Sequence, residues 1–203
     1  MRPIEFIGIR GGHCASTVAF VTAISLAARG PTRLAAHDPD VMCALAGTSP
    51  DRHIPIVLSE NLDLVAGEDH GDVIDAGTLE SYLDDEPFDD ELAARRHSTP
   101  GRLVIGVLRG PDYLGLRTLC GHPEAPLDGL VVVTEAGRAL DARDAEHVSG
   151  RTVLAVVEHT PVVARTIDAG LLTQRVCQLR EFTQLRNLIT QIATEDTPCS
   201  APA

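Results

Sequence analysis

The stretch IGIRGGHCASTVAF, Ile7 to Phe20, decides how the rest of the chain is read. An apolar run enters it, Gly11 and Gly12 turn the chain, Ser16 and Thr17 follow, and an Ala/Val-rich segment continues with helical character. A strand, a glycine turn and a helix start bring unpaired amides and the positive end of a helix dipole to one spot, which makes an anion site. A phosphate loop proper adds a lysine for the β- and γ-phosphates and a Ser/Thr hydroxyl for Mg²⁺. The hydroxyls are present, but the lysine position holds Ala15. The same residues also read as a plain strand-to-helix turn with Ser16 near the cap.

Beyond the loop, short Val/Ile-rich runs alternate with Ala/Leu/Arg stretches of helical character. That is the pattern of buried parallel strands covered by crossover helices. Strands are expected at Ile4–Ile9, Thr32–Ala36, Ile54–Leu58, Asp72–Asp75, Leu103–Leu108, Gly129–Thr134 and Thr152–Val157. Helices are expected at about Ser16–Arg29, Pro111–Cys120, Asp141–His147, Pro161–Ala169 and Thr173–Ala193. In the last, Val176, Leu179, Phe182, Leu185, Leu188 or Ile189, and Ile192 recur at helical spacing. The fold class is α/β, a doubly wound and mainly parallel sheet flanked by helices. At 203 residues and 44% hydrophobic content the chain has material for one large core. A single domain over 1–193 is expected, with an exposed acidic insertion at about 79–100 holding one helical turn, and a disordered tail over 194–203.

The formal charge is −12, and no arginine falls between Arg52 and Arg95. Neutralising phosphates takes clustered basic residues, so the charge weighs against direct nucleic-acid binding by this chain alone. A basic protein partner matches the acidic segment, as does the plainer reading of a solvated loop. All 17 basic residues are arginine, so no other lysine stands in for the missing one. Five scattered cysteines without a C-x-x-C pair point to a reducing cytoplasm. No basic leader precedes the first strand, and no run approaches the ~20 apolar residues of a membrane span. His13, Cys14, Cys43, Cys120 and His122 match no zinc spacing.

Taken with three further segments, the loop resembles the ParA/MinD family of deviant Walker A, P-loop ATPases. Their signature K-G-G-x-G-K-[ST]-[ST] lies over Arg10, Gly11, Gly12, His13, Cys14, Ala15, Ser16 and Thr17. Arg10 replaces the signature lysine, Cys14 the third glycine, and Ala15 the phosphate-loop lysine. "AAHDPD" resembles the aspartate-rich segment after the family's second strand, with Asp38-Pro39 the best match and Asp40 beside it. "DVIDAGT" resembles the segment that places Asp75 at the magnesium-side aspartate and Gly77 in the switch turn. "VEHTPVVARTIDAGLL" resembles the strand-to-helix segment beside the adenine, so Thr160 and Pro161 carry over as base-side positions. The adenine-reading asparagine is replaced by Thr134 or Glu135.

The resemblance implies ATP and Mg²⁺ as ligands, Ser16 and Asp75 as metal-side residues, and Asp38 and Asp75 as candidate catalytic acids. It also implies a homodimer, in which Arg10 would reach the partner's nucleotide. The departures bear more on hydrolysis than on binding: losing the lysine removes a charge-assisted contact and charge stabilisation in the transition state. The expectation is a degenerate member that acts through protein contacts in a positioning, partitioning or secretion system, with a basic protein or a related active ATPase as partner. Two alternatives stand beside it. One is a nucleotide-dependent dimer switch using Arg10; the other is a small-molecule enzyme using Cys14, a thiol at a helix start. Asp38, Asp40 and Asp75 also read as acids capping the helix or turn after a strand.

Overall fold

The computed structural model describes residues 1–49, 56–65, 71–84 and 101–195. In chain order these form β1 (Ile4–Gly8), α1 (Ala15–Ala27), β2 (Thr32–Ala36), α2 (Pro39–Ala46), β3 (Ile56–Ser59), β4 (Leu62–Val65), β5 (Val73–Thr78) and α3 (Leu79–Asp84). The second half adds β6 (Leu103–Arg109), α4 (Tyr113–Gly121), β7 (Gly129–Thr134), α5 (Ala142–Ser149), β8 (Val153–Glu158), α6 (Pro161–Asp168), α7 (Leu172–Arg175), a 3-10 turn (Arg180–Phe182) and α8 (Thr183–Glu195).

The strands make one eight-stranded sheet in the order β3-β4-β2-β5-β1-β6-β7-β8. The β3–β4 pair is antiparallel, and the other pairings are parallel. Every residue of β1 is buried, as a central strand covered on both faces must be. Ile4 and Phe6 point into one core with α1 and α8. Ile7 points into the other, with Leu79 and Tyr82 of α3 and Leu116 and Leu119 of α4. The chain leaves β1 toward β2 on one side and later crosses to β6, β7 and β8 on the other. The loop after β1 therefore sits at the carboxyl edge where the winding reverses, the usual crevice of a doubly wound sheet.

Several elements depart from the pattern read in the sequence. The helix α2 was not expected, although its signals are local. Asp38 caps it by accepting from the amides of Asp40 and Val41, Pro39 opens it, and Gly47 closes it at φ 70°. Strand β4 is four residues with Asp63 inside it, too short and polar to announce itself, and it turns the expected Ile54–Leu58 strand into one arm of a hairpin. Residues 54 and 55 lie outside the described residues. The insertion begins as core, not as exposed loop, because Leu79 and Tyr82 of α3 are buried; residues 85–100 lie outside the described residues.

The expected helix Thr173–Ala193 is broken. Leu179 is extended (φ −80°, ψ 108°), and Arg186 donates to the carbonyls of Val176 and Leu179 at 2.7 and 2.9 Å, taking up acceptors that a continuous helix would have bonded. The apolar positions that suggested one helix are still buried, from Val176 through Ile192. Thr194 and Glu195 belong to α8 and not to a disordered tail; residues 196–203 lie outside the described residues.

Candidate functional site

The loop from Ile9 to Cys14 joins the most central strand to α1, and the helix begins without a side-chain cap. Asp38, Asp112, Asp141 and Thr160 each accept amide hydrogen bonds at the starts of α2, α4, α5 and α6. Cys14, at the same position before α1, makes no such bond. Its backbone is left-handed (φ 67°, ψ 22°), the only non-glycine with positive φ among the described residues. That conformation costs a side-chain-bearing residue roughly 1 kcal/mol or more. Cys14 thus holds a glycine-type turn although it carries a side chain, and α1 begins without a side-chain cap.

The start of α1 faces a cleft of about 310 Å³ lined by Gly8 and Arg10 through Thr17, with Val41, Asp75, Gly77 and Thr78 across it. Asp75 is 2% exposed and receives the Gly77 amide at 3.4 Å. Gly77 has φ +76°, and a Cβ there would stand 3.1 Å from the His37 ring, so this turn needs glycine. Ala15 is buried in the lysine position. Ser16 and Thr17 are partly exposed in the cleft wall. Arg10 is exposed and also lines a second cleft of about 710 Å³ shared with α3 and α4. Asp38, a candidate catalytic acid, is committed to capping α2, at 3.1 Å from the Asp40 amide. The two acids are thus not equivalent: Asp75 lies in the cleft wall, and Asp38 belongs to a helix start whose Val41 reaches the cleft.

His13 and Cys14 do not form a nucleophile and its base. The His13 ring lies beside the first turn of α4, where a Cβ on Gly115 would meet its Cε1 at 3.0 Å. Burial pushes its pKa below the ordinary value, with Asp112 opposing. Burial also raises the Cys14 thiol, against the nearby Arg109, which moves it away from the thiolate that a nucleophile needs. Among the described residues no group of three or more His, Cys, Asp or Glu is placed to hold a metal ion.

Beyond Arg109, a third cleft of about 330 Å³ is lined by Thr134, Glu135, Ala136, Glu158, His159, Thr160 and Pro161. Thr160 and Pro161, the positions expected beside the base, both lie in it. Thr160 is also the cap of α6 and donates to Glu181 at 2.9 Å. Between this cleft and the loop stands a charged cluster. Arg109, at the end of β6, binds Glu135 through Nη2 at 2.6 Å and Nε at 2.8 Å. Its Nη1 reaches the Gly12 carbonyl at 3.5 Å. Arg138 holds the other oxygen of Glu135 at 2.6 Å, and His159 Nδ1 lies 3.9 Å from Oε1. Arg138 and then Arg109 hold the Glu135 carboxyl below its usual range. Gly110 makes room for the cluster, since a Cβ there would stand 3.1 Å from Arg138 Nε and 3.2 Å from Glu135 Oε2.

Arg109, Arg138 and His159 were not singled out from the sequence. A usable signal was present: Arg109 and Glu135 each directly follow a predicted parallel strand and His159 lies two residues past a third, and such positions meet at one sheet edge.

Solved structures share the fold. MinD, the septum site-determining protein of Pyrococcus horikoshii, complexed with Mg-ADP, matches with a TM-score of 0.64 at 16% identity over 97% of each chain. The MinC:MinD cell division complex of Aquifex aeolicus matches with a TM-score of 0.65 at 11% identity, over 99% of each chain. The fold is that of the MinD/ParA P-loop proteins. A nucleotide-binding protein of Archaeoglobus fulgidus, in complex with ADP, matches with a TM-score of 0.51 at 12% identity, over 85% of this chain and 88% of its own. At these identities the likeness is one of fold. Neither a family model nor a curated protein matches the chain. The loop cleft lies after β1 and before α1 of this fold. Among the described residues no helix is long and apolar enough to cross a membrane.

Proposed function

We propose that this chain is a degenerate ParA/MinD-like protein that binds ATP with Mg²⁺ at the loop cleft, hydrolyses it weakly or not at all, and acts through protein contacts. The observation that carries the reading is the uncapped start of α1 behind a left-handed Cys14, a phosphate-loop geometry kept while its lysine position holds a buried Ala15. Amides and the helix dipole supply binding. The charge that would stabilise a transferring phosphoryl group is missing. A buried carboxylate and a hydroxyl across one cleft are oxygen donors of the kind Mg²⁺ takes, so Asp75 and Ser16 are the residues that would hold it. When bound, the ion would supply positive charge against the phosphates. The chain's own part is to orient the phosphates on the amides of Gly12 and residues 14–17 and to seat the base near Thr134, Thr160 and Pro161.

A role in positioning, partitioning or secretion, with a basic protein or a related active ATPase as partner, is supported by the fold neighbour seen with MinC and by the net charge of −12. A cytoplasmic location agrees with the scattered thiols. The second reading, a nucleotide-dependent homodimer switch, is favoured by Arg10, exposed on the rim between two clefts.

Titration with ATP and Mg²⁺, followed by melting temperature, tests the reading, because a ligand of the native state alone must raise it. The expected result is a rise without sustained phosphate release. Sustained release that disappears in Asp75→Ala would instead establish the switch. If neither the native chain nor Cys14→Gly/Ala15→Lys binds nucleotide at millimolar concentration, both nucleotide readings fall.

A further inference from the structure

Residue 15 of the loop carries no charge and Arg10 stands exposed on the rim, and the fold brings a further cation to the loop. Arg109 comes from the neighbouring strand β6. It touches the loop at the Gly12 carbonyl and stands beside the Cys14 sulfur; both residues line the loop cleft. Its side chain is 32% exposed, so solvent-borne anions can reach it. A guanidinium has five N–H donors. Glu135 engages Nε and Nη2 through a single oxygen, and the Gly12 carbonyl is a long contact, so the group is not saturated.

The carboxylate that neutralises Arg109 is itself held from its other oxygen by Arg138 over Gly110. That arrangement fixes the guanidinium at the junction of the loop cleft and the base-side cleft, and it leaves a net positive pair of arginines around one acid. We propose that Arg109 is the cation that meets the phosphate chain of the ligand at this loop, in place of the charge Ala15 does not carry, with Glu135 as its counter-ion in the free protein. The inference rests on reading the loop as a phosphate site. It assigns the ligand class as a polyphosphate anion, whether carried on a nucleoside or bare.

The two sources are separated by titrating the full chain with ATP·Mg²⁺ and with tripolyphosphate·Mg²⁺, measuring affinity by calorimetry and folding by the ligand-free melting temperature. Arg109→Ala is expected to weaken both ligands tenfold or more. Arg109→Lys should keep part of the affinity, because it retains the charge without the planar fork. Glu135→Gln should tighten both ligands near pH 7, since the incoming anion no longer competes with a carboxylate for the guanidinium.

Unchanged affinity in Arg109→Ala, with the native chain still binding ATP, would overturn the inference and leave the loop reading intact. Weakening by Glu135→Gln to the extent of Arg109→Ala would make Arg109 a strut for the loop and overturn it as well. A loss confined to ATP, with tripolyphosphate unaffected, would move the guanidinium to the base or ribose and overturn it too. If the native chain binds neither ligand, the loop reading itself falls and this inference with it. Should Arg109→Ala fail to fold, Arg109→Lys and Glu135→Gln carry the test.

Discussion

His13 shows how a single loop residue ties the candidate site to the stability of the fold. It is 6% exposed, and its Nδ1 is buried without a hydrogen-bond partner, so protonating it would strand a charge beside α4. Its folded pKa lies below the ordinary value, about 6.5 in a free chain. The unfolded chain therefore takes up a proton first as pH falls. Stability is complete above about pH 6.5 and is lost as pH drops through the lower folded value. Melting temperature measured from pH 7.5 to 5 should decline in the native chain and decline less steeply in His13→Leu. Equal slopes would remove His13 as the cause. The sequence marked residue 13 as the variable position of a loop motif and as one of several His and Cys residues without zinc spacing. Its burial comes from Gly115, which belongs to a helix about a hundred residues away.

At the scale of elements, arginine holds loops together through backbone carbonyls. Arg151 donates to the carbonyls of Leu127, Ala125, Pro123 and His122 at 2.9, 2.9, 3.0 and 3.3 Å. It thereby fastens the segment between α4 and β7, and that segment carries His122 on the wall of the 710 Å³ cleft. Hydrogen bonds from a charged donor contribute about 1.5–3 kcal/mol each at most, and less when several share one group. Arg151→Met should destabilise the chain by about 2 kcal/mol in denaturant unfolding. Arg151→Lys should not recover it, because a point charge cannot span four acceptors. A loss below about 0.5 kcal/mol would show that the segment holds without this side chain. Arg186 plays the same part where the expected long helix breaks. Periodicity could not show that break, because the apolar positions keep helical spacing straight through it.

Across the whole molecule, the candidate site and a buried charge pair sit at opposite edges of the sheet. Glu5 in β1 and Arg102, just before β6, meet at 2.9 Å with side chains 2% and 6% exposed. Both are toward the amino ends of strands whose carboxyl ends carry the loop and Arg109. Removing one partner of such a pair costs about 3–5 kcal/mol, whereas replacing both with apolar groups is often neutral. Glu5→Gln should lower the melting temperature by roughly 10 °C at ~2–4 °C per kcal/mol for a chain of this size. The double variant Glu5→Leu/Arg102→Met should recover most of that. Nucleotide response at the opposite edge should persist in both wherever they are folded. Its loss in a folded variant would mean that the two edges are coupled through β1.

The sequence by itself determined the alternation of strands and helices, the parallel class of the sheet, and the loop after β1, because apolar period, glycine turns and strand-end acids are local signals. The capping of α2 by Asp38 was as local, with Pro39 and Gly47 on either side. Only the tertiary structure decided that Cys14 holds a glycine's conformation and that Leu79 and Tyr82 are core. It also decided that Arg109 and Glu135 stand between the loop and the base-side cleft. These depend on which strands lie side by side at the carboxyl edge, and β1, β6, β7 and β8 are neighbours in space while being roughly 25 to 100 residues apart in the chain. Spacing along a sequence carries no record of such meetings; parallel pairing creates them.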